Sequence, residues 1–345
     1  MRPSSTIRRS WQAFAGVSCL LGVSAVAAAE AAPAAATYKH YLTGNPADVV
    51  RPTSGLLVLQ GGGDDVDENY IRMGAHGGGG DIVVLRARGD GEDGDYIYER
   101  CNCDSVETLV VDSRAAAADP VVVETVRNAE ALFIAGGDQS NYVNFWKGTP
   151  LEDAINFVAS KPAPIGGTSA GMAILGEFVY PATTPESLTS ATALADPYAA
   201  AVTLERNFLE LPRLQGVLTD QHLWERDRIG RTVALMARLL QDGWTTEARA
   251  IAADRETAVH IDPVTGKAEV FATADHPTPY AYFMSASHKP ERCEPGQPLT
   301  FSKVDVYRLA PGGHFDLATW KGEGGLAYQL SVESGVLRSS RGGTY

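Results

Sequence analysis

The residues Gly167-Thr168-Ser169-Ala170-Gly171 lie between an apolar pair at 164–165 and a helix-like run at 172–175. Gly-x-Ser-x-Gly at a strand-to-helix junction is the signature of a nucleophile elbow. The turn exposes the serine hydroxyl on a strained backbone, and the flanking glycines leave room for strand and helix to cross. The N–H of Ala170 then points from the first helical turn toward the place where an oxyanion would form. The helix N-terminus adds partial positive charge there. The chemistry implied is acyl transfer, in which a serine oxygen attacks a carbonyl once an imidazole takes its proton.

Of the seven histidines, His222 is best placed to be that base. It follows the apolar run 214–219 and arrives with Asp220 and Gln221 at what should be the carboxyl edge of a sheet. His260 is the second candidate, on a segment that reads as an edge strand. A third group must orient the imidazole, and Glu256 and Asp254 are the acids available for it. Two further strand-like runs, 56–60 and 131–135, end in Gly61-Gly62-Gly63 and Gly136-Gly137-Asp138-Gln139. Glycines there offer bare backbone N–H groups at the edge where ligands bind in open α/β sheets. Arg226, Arg228 and Arg231 open a helix expected to run to about residue 240. Cations at a helix start oppose its dipole, so either an anion lies nearby or Glu225 and Asp227 pair with them on a solvated face.

Runs at 82–87 and 106–111 read as additional strands, and 121–129 and 151–159 as helices. Residues 90–95, charged and glycine-containing, read as a surface loop. Strands alternating with helices predict an α/β fold with a mainly parallel sheet. From about residue 265 the texture shifts to short alternating segments divided by Gly and Pro, which predicts a β-rich C-terminal extension. The expected division is a signal peptide over 1–29, a linker over 30–54, an α/β domain over 55–264 and the extension over 265–345.

Arg2, Arg8 and Arg9 precede an Ala-rich apolar run, which predicts export to the periplasm or medium, with no membrane attachment after cleavage. A net charge of −13 leaves no basic patch for nucleic acid. Beyond Cys19 of the leader there are Cys101, Cys103 and Cys293. In an exported protein that odd count predicts one disulfide, from Cys101 or Cys103 to Cys293, and one free thiol. Cys-x-Cys with one distant Cys lacks a fourth ligand, so no metal is expected, and no cofactor is expected either.

Taken together, Gly136-Gly137-Asp138-Gln139, Gly167-Thr168-Ser169-Ala170-Gly171 and Asp220-Gln221-His222 with Arg226, Arg228 and Arg231 resemble the cyanophycinase/dipeptidase E family of serine peptidases. The resemblance covers roughly residues 55–262 in order. It implies a class I glutamine amidotransferase-like fold with Ser169 as nucleophile and His222 as general base. It further implies that Gln139, Asp220 and Gln221 support the site or contact substrate, that Arg226, Arg228 and Arg231 hold acidic groups of the substrate or brace the acidic residues around the site, and that Gly62, Gly63 and Ala170 are oxyanion donors. The implied substrates are Asp-rich peptides, including the β-Asp-Arg polymer cyanophycin, and a homodimer is the expected assembly. The family's usual Asp-Glu-x-Thr-Ala is here Asp254-Arg255-Glu256-Thr257-Ala258, so its glutamate position holds Arg255. Glu256 lies one place along, where a strand side chain would face the other way. Without an orienting acid the chain would be a peptide-binding protein with little turnover.

Overall fold

The computed structural model describes residues 37–345 apart from Glu92 and Thr278. The expected signal peptide, and the start of the expected linker, lie outside the described residues.

Within the linker span, β1 (Lys39–Gly44) forms an edge strand. Five further runs, β2 (Leu56–Gln60), β3 (Asp81–Arg86), β4 (Ser105–Val110), β5 (Ala131–Ile134) and β6 (Pro164–Thr168), pair in parallel in the order β4-β3-β5-β6-β2. The helices connecting them are α1 (Asp67–His76), α2 (Asp93–Cys101), α3 (Pro120–Asn128), α4 (Gln139–Trp146) and α5 (Pro150–Ser160). Alternation along β2 shows how both faces are covered. Leu56 and Val58 join a core with Tyr70 and Met73 of α1 and Ile97 of α2. Leu57 and Leu59 join another with Val122 and Val126 of α3 and Leu151 and Ile155 of α5. The start of α2 falls inside the segment expected to be a loop. Its only buried residues are Gly94, Ile97 and Cys101, too few to make a helical apolar stripe in the sequence.

After α6 (Ala170–Ala173) the chain enters a second sheet through β7 (Phe178–Val179), α7 (Ser190–Ala195), β8 (Glu205–Arg206), β9 (Val217–Gln221), α8 (Ile229–Gln241) and β10 (Ala248–Ala253). It returns to the first sheet as β11 (Thr257–Ile261) and β12 (Lys267–Ala272). Then come β13 (Ala281–Ala286), β14 (Phe301–Leu309), β15 (His314–Asp316), β16 (Lys321–Glu323), β17 (Leu326–Glu333) and β18 (Val336–Ser339). The first sheet runs β1-β4-β3-β5-β6-β2-β11-β12-β15-β16 and the second β18-β17-β14-β13-β10-β9-β7-β8. The fold is thus α/β with a parallel, helix-flanked centre, and the β-rich C-terminal strands extend both sheets.

Three further expectations need correction. β11 is not an edge strand: it pairs with both β2 and β12 and is buried throughout. The helix expected to open at Arg226 begins at Ile229, because residues 222–228 form a turn that closes with Arg228 N–H on Leu223 O at 2.8 Å. The disulfide joins Cys101 to Cys103, and Cys293 is a buried free thiol. Cys101 lies in the core under α1, whereas Cys293 lies in the core that packs on α8, so a bridge between them has no path.

Candidate active site

β6 ends at Thr168 and α6 starts at Ala170, so Ser169 alone makes the turn, with φ 52° and ψ −116°. A backbone of this kind costs of order 1–3 kcal/mol and persists only where its surroundings enforce it. Ser169 N–H donates to Gln60 O at 3.0 Å, tying the turn to β2, and Ala173 N–H donates to Ser169 O at 3.0 Å. A Cβ on Gly171 would stand 2.1 Å from Ile134 O, and one on Gly167 2.7 Å from the Gly171 carbonyl carbon. Gly167 is therefore required where α6 crosses β6, and Gly171 where α6 lies against the end of β5.

β9 delivers Gln221, and His222 then turns with φ 51°. Its N–H donates to Gly61 O at 2.9 Å, so the glycine loop after β2 sets the imidazole's base. Nε2 lies 2.8 Å from Ser169 Oγ, and Nδ1 lies 2.7 Å from Glu225 Oε1. An ionised carboxylate only accepts, so Nδ1 carries the ring proton and Nε2 presents its lone pair to the serine hydroxyl. Burial holds His222 below its ordinary range, and Arg226 and Arg228 push the same way against the opposing pull of Glu225. Burial works to raise the Glu225 carboxyl, but the hydrogen bonds from His222 and from backbone N–H groups outweigh it and hold it low. At neutral pH the pair is therefore a neutral imidazole beside a carboxylate.

The acid on His222 is Glu225, neither Glu256 nor Asp254. Glu256, at φ 55°, donates its N–H to Gly62 O at 2.5 Å, and its carboxylate takes the Arg255 guanidinium and, at 3.4 Å, Thr273 Oγ1. It supports the glycine loop from behind. Asp254 is fully buried, with Oδ1 accepting Trp224 N–H at 2.9 Å; burial, and next the Glu225 charge, push it up to about 7. The turn that carries Arg255 still serves the site, since Arg255 N–H donates to Glu225 Oε2 at 3.3 Å. Glu225 was visible in the sequence only as a neighbour of the arginines. Its placement comes from the left-handed step at His222, which lets a residue three positions on fold back against the ring.

Gly62 and Gly63 adopt φ 99° and 79°, and no acceptor among the described residues takes their N–H groups or that of Ala170. A cavity of about 210 Å³ opens beside them, lined by Gly62, Gly63, Thr168 and Ser169 on one side and by Arg86 and Asp93 on the other. A larger cleft of about 1040 Å³ at the opposite end of β2 does not include Ser169. A Cβ on Gly62 would stand 2.3 Å from His222 Nε2. Gly62→Ala is therefore expected to push the imidazole off Ser169 and lower kcat about a hundredfold, as ångström-scale misplacement does. Steady-state kinetics beside an unchanged circular dichroism spectrum checks this.

The remaining expected site residues are mostly internal. Asp220 and Arg231 form a buried ion pair, with Arg231 Nε donating to Asp220 Oδ2 at 3.1 Å, and Thr232 Oγ1 donates to the same oxygen at 2.7 Å. Burial works to raise the Asp220 carboxyl, but Arg231 outweighs it and holds it low. Arg228 is buried against Gln221, donating to its backbone O at 3.1 Å and to its side-chain carbonyl; burial and then Arg231 bring it down to about 10. Gln139 is buried and donates to Tyr180 O at 3.4 Å. Arg226 alone of this set is exposed, on the turn beside His222. Arg228 and Arg231 thus brace β9, which carries His222 at its end. Asp220→Ala would leave Arg231 buried without its counter-charge, and about 3–5 kcal/mol of stability should be lost. Urea denaturation measures it.

His260, the second candidate base, is remote from Ser169. It is buried, with Nε2 2.7 Å from Asn69 Oδ1, and burial, then Arg72, bring it down to about 3. Among the described residues no group of three or more His, Cys, Asp or Glu could hold a metal ion.

An α/β scaffold carrying a serine on a strand-to-helix elbow, with an imidazole and a carboxylate in line behind it, is the arrangement of the serine hydrolases. Comparison with known proteins narrows this. Residues 92–201 match the model of Peptidase family S51. The chain is 26% identical over 142 residues to a cyanophycinase of Geminocystis herdmanii, covering 41% of this chain and 48% of that protein. It is 28% identical over 142 residues to a cyanophycinase of Thermosynechococcus vestitus, covering 41% of each. The matched stretch thus spans less than half the length of either relative. A solved peptidase from an acI-B1 Actinobacterium aligns over 77% of this chain and 98% of its own, at 18% identity and a TM-score of 0.49.

Proposed function

We propose that the protein is a serine-type peptidase that hydrolyses Asp-rich peptides, including β-Asp-Arg linkages of the cyanophycin type, through an acyl-enzyme. One observation carries the reading: Ser169 Oγ, His222 and Glu225 stand in one hydrogen-bonded line, at 2.8 and 2.7 Å. The likeness to cyanophycinases supports the substrate class. Ser169 Oγ attacks the scissile carbonyl carbon while its proton passes to His222 Nε2, and Glu225 stabilises the imidazolium. The N–H groups of Ala170 and the Gly62–Gly63 loop receive the oxyanion. His222 returns the proton to the leaving amine as the C–N bond breaks. Water, deprotonated by the same imidazole, then cleaves the ester on Ser169. Export to the periplasm or medium, from the leader-like residues 1–29, belongs to the same reading.

Incubating the protein with cyanophycin and with Asp-X dipeptides, followed by mass analysis, tests it. Product release and an ester trapped on Ser169 at acid quench are expected. Binding without turnover or ester would favour the non-catalytic alternative, whose motive was Arg255 at the family's glutamate position. Glu225 weakens that motive by supplying the acid from another segment.

A further inference from the structure

We propose that Tyr345, from the β-rich extension, is a positioning residue for catalysis, clamping the turn that carries His222 and Glu225. The inference rests on the peptidase reading and gives the extension, which lies outside the matched stretch 92–201, a role in it.

The turn between β9 and α8 has two left-handed residues, His222 at φ 51° and Asp227 at φ 47°. Neither is glycine, so outside contacts must hold the conformation. Contacts on the His222 side come from the end of β10 and the residue after it: Leu223 N–H donates to Ala253 O at 3.2 Å, and Trp224 N–H to Asp254 Oδ1 at 2.9 Å. On the other side Ser190 Oγ donates to Asp227 O and accepts Arg231 N–H at 3.2 Å, which leaves the Ile229 N–H to be met. α8 begins after Arg228, whose side chain can only donate, so no side chain caps the helix from that position. Tyr345 Oη fills the gap. It accepts the N–H of Ile229, the first residue of α8, at 3.2 Å, and donates its own proton to Asp227 Oδ1 at 2.7 Å. One hydroxyl thus serves a helix N–H and a left-handed neighbour, from 116 positions away. Its ring is fixed in turn, edge-on to Tyr282 at 6.4 Å, while Tyr328 Oη donates to Thr344 O at 2.8 Å. Tyr282 Oη reaches Asp254 Oδ2 at 3.4 Å, so the clamps on the two sides of the turn are joined through β13. Glu225 lies between them.

Tyr345→Phe removes the hydroxyl and keeps the ring. It is expected to lower kcat and the rate of Ser169 phosphonylation by a small uncharged fluorophosphonate about tenfold, with KM within about twofold, because Glu225 and His222 lose their fixed geometry. Asp227→Ala should give a similar loss, and the double variant little more than either single one. Tyr307→Phe is the control: its hydroxyl accepts Gly325 N–H at 2.8 Å within the extension, away from the turn, and both rates should hold. Hydrogen exchange at the Ile229 amide, faster in Tyr345→Phe and unchanged in Tyr307→Phe, reports the clamp without any need for turnover. Wild-type phosphonylation and kcat in Tyr345→Phe would overturn the clamp while leaving the peptidase reading intact. A wild-type Ser169 that the reagent does not label would remove the peptidase reading and the clamp's catalytic meaning together, with the exchange rates then showing a structural tie alone.

Discussion

Ser169→Ala should lower kcat on an Asp-rich peptide by about 10⁶-fold, since removing the nucleophile of a serine–histidine pair costs as much as removing the whole set. The side chain loses one oxygen, and that oxygen's partner is His222 Nε2 at 2.8 Å. Alanine at φ 52° bears the same Cβ strain as serine, so the elbow should survive and the thermal midpoint should move little. The loss is thus expected in kcat, with peptide binding retained, because the N–H groups of Gly62, Gly63 and Ala170 and the cavity beside them stay in place. Mass analysis of the products, paired with a binding titration, separates the two. Turnover within about tenfold of wild type would mean that another group attacks, and the acyl-enzyme reading would end there.

What the sequence reveals here depends on how local each feature is. The elbow is a local feature: two glycines, a serine and a buried strand lie within a few residues, and the turn at Ser169 follows from their order. The parallel strands were legible for the same reason, as apolar runs of the right length, two of which (56–60 and 131–135) run straight into glycines. His222 was legible because a strand ends just before it, at Gln221. The carboxylate was not, because the decision lies in one backbone angle. With His222 in an extended or helical conformation, Glu225 would be an ordinary neighbour of three arginines; at φ 51° it returns to the ring. Glu256 failed as a candidate through the same kind of step, since φ 55° turns it toward Arg255 and the back of the glycine loop.

The long-range features were hidden for a different reason. Short alternating runs after residue 265 identify strands but carry no address. β12, β15 and β16 extend the first sheet beyond β11, while β13, β14, β17 and β18 extend the second beyond β10. That division turns β11 into an interior strand and makes the extension a neighbour of the turn that carries His222. The arginines pose a related choice. Their types and spacing fit either an acidic substrate or acids of the protein's own, and charge opposing a helix dipole does demand an anion. The anion is Asp220, one strand end away and inside the protein, so Arg231 serves the frame and Arg226 alone reaches solvent.

Glu225→Gln is expected to lower kcat about 10⁴-fold, through the tautomer of a ring it does not displace. The wild-type carboxylate accepts on both oxygens, from His222 Nδ1 at 2.7 Å and from Arg255 N–H at 3.3 Å. A glutamine has one oxygen and one NH₂ for the same two neighbours. The Arg255 N–H can only donate, so it claims the oxygen and leaves the NH₂ facing His222 Nδ1. Nδ1 must then accept, the ring proton moves to Nε2, and Ser169 faces a donor where it needs a base. Glu256→Gln makes the contrast, because its carbonyl oxygen can still accept from Arg255 and Thr273; losing that half-exposed ion pair should cost at most about 1 kcal/mol and leave the tautomer alone. The pH profile adds a second readout with a definite sign. Burial holds His222 low and Glu225 partly counteracts it, so the wild-type acid limb of kcat/KM should lie below the ordinary histidine value. Removing the Glu225 charge takes away the group that favours the imidazolium, so in Glu225→Gln the limb should move to still lower pH even as the plateau collapses. A limb that moves upward, or a plateau that falls equally in Glu256→Gln, would return the orienting role to another acid.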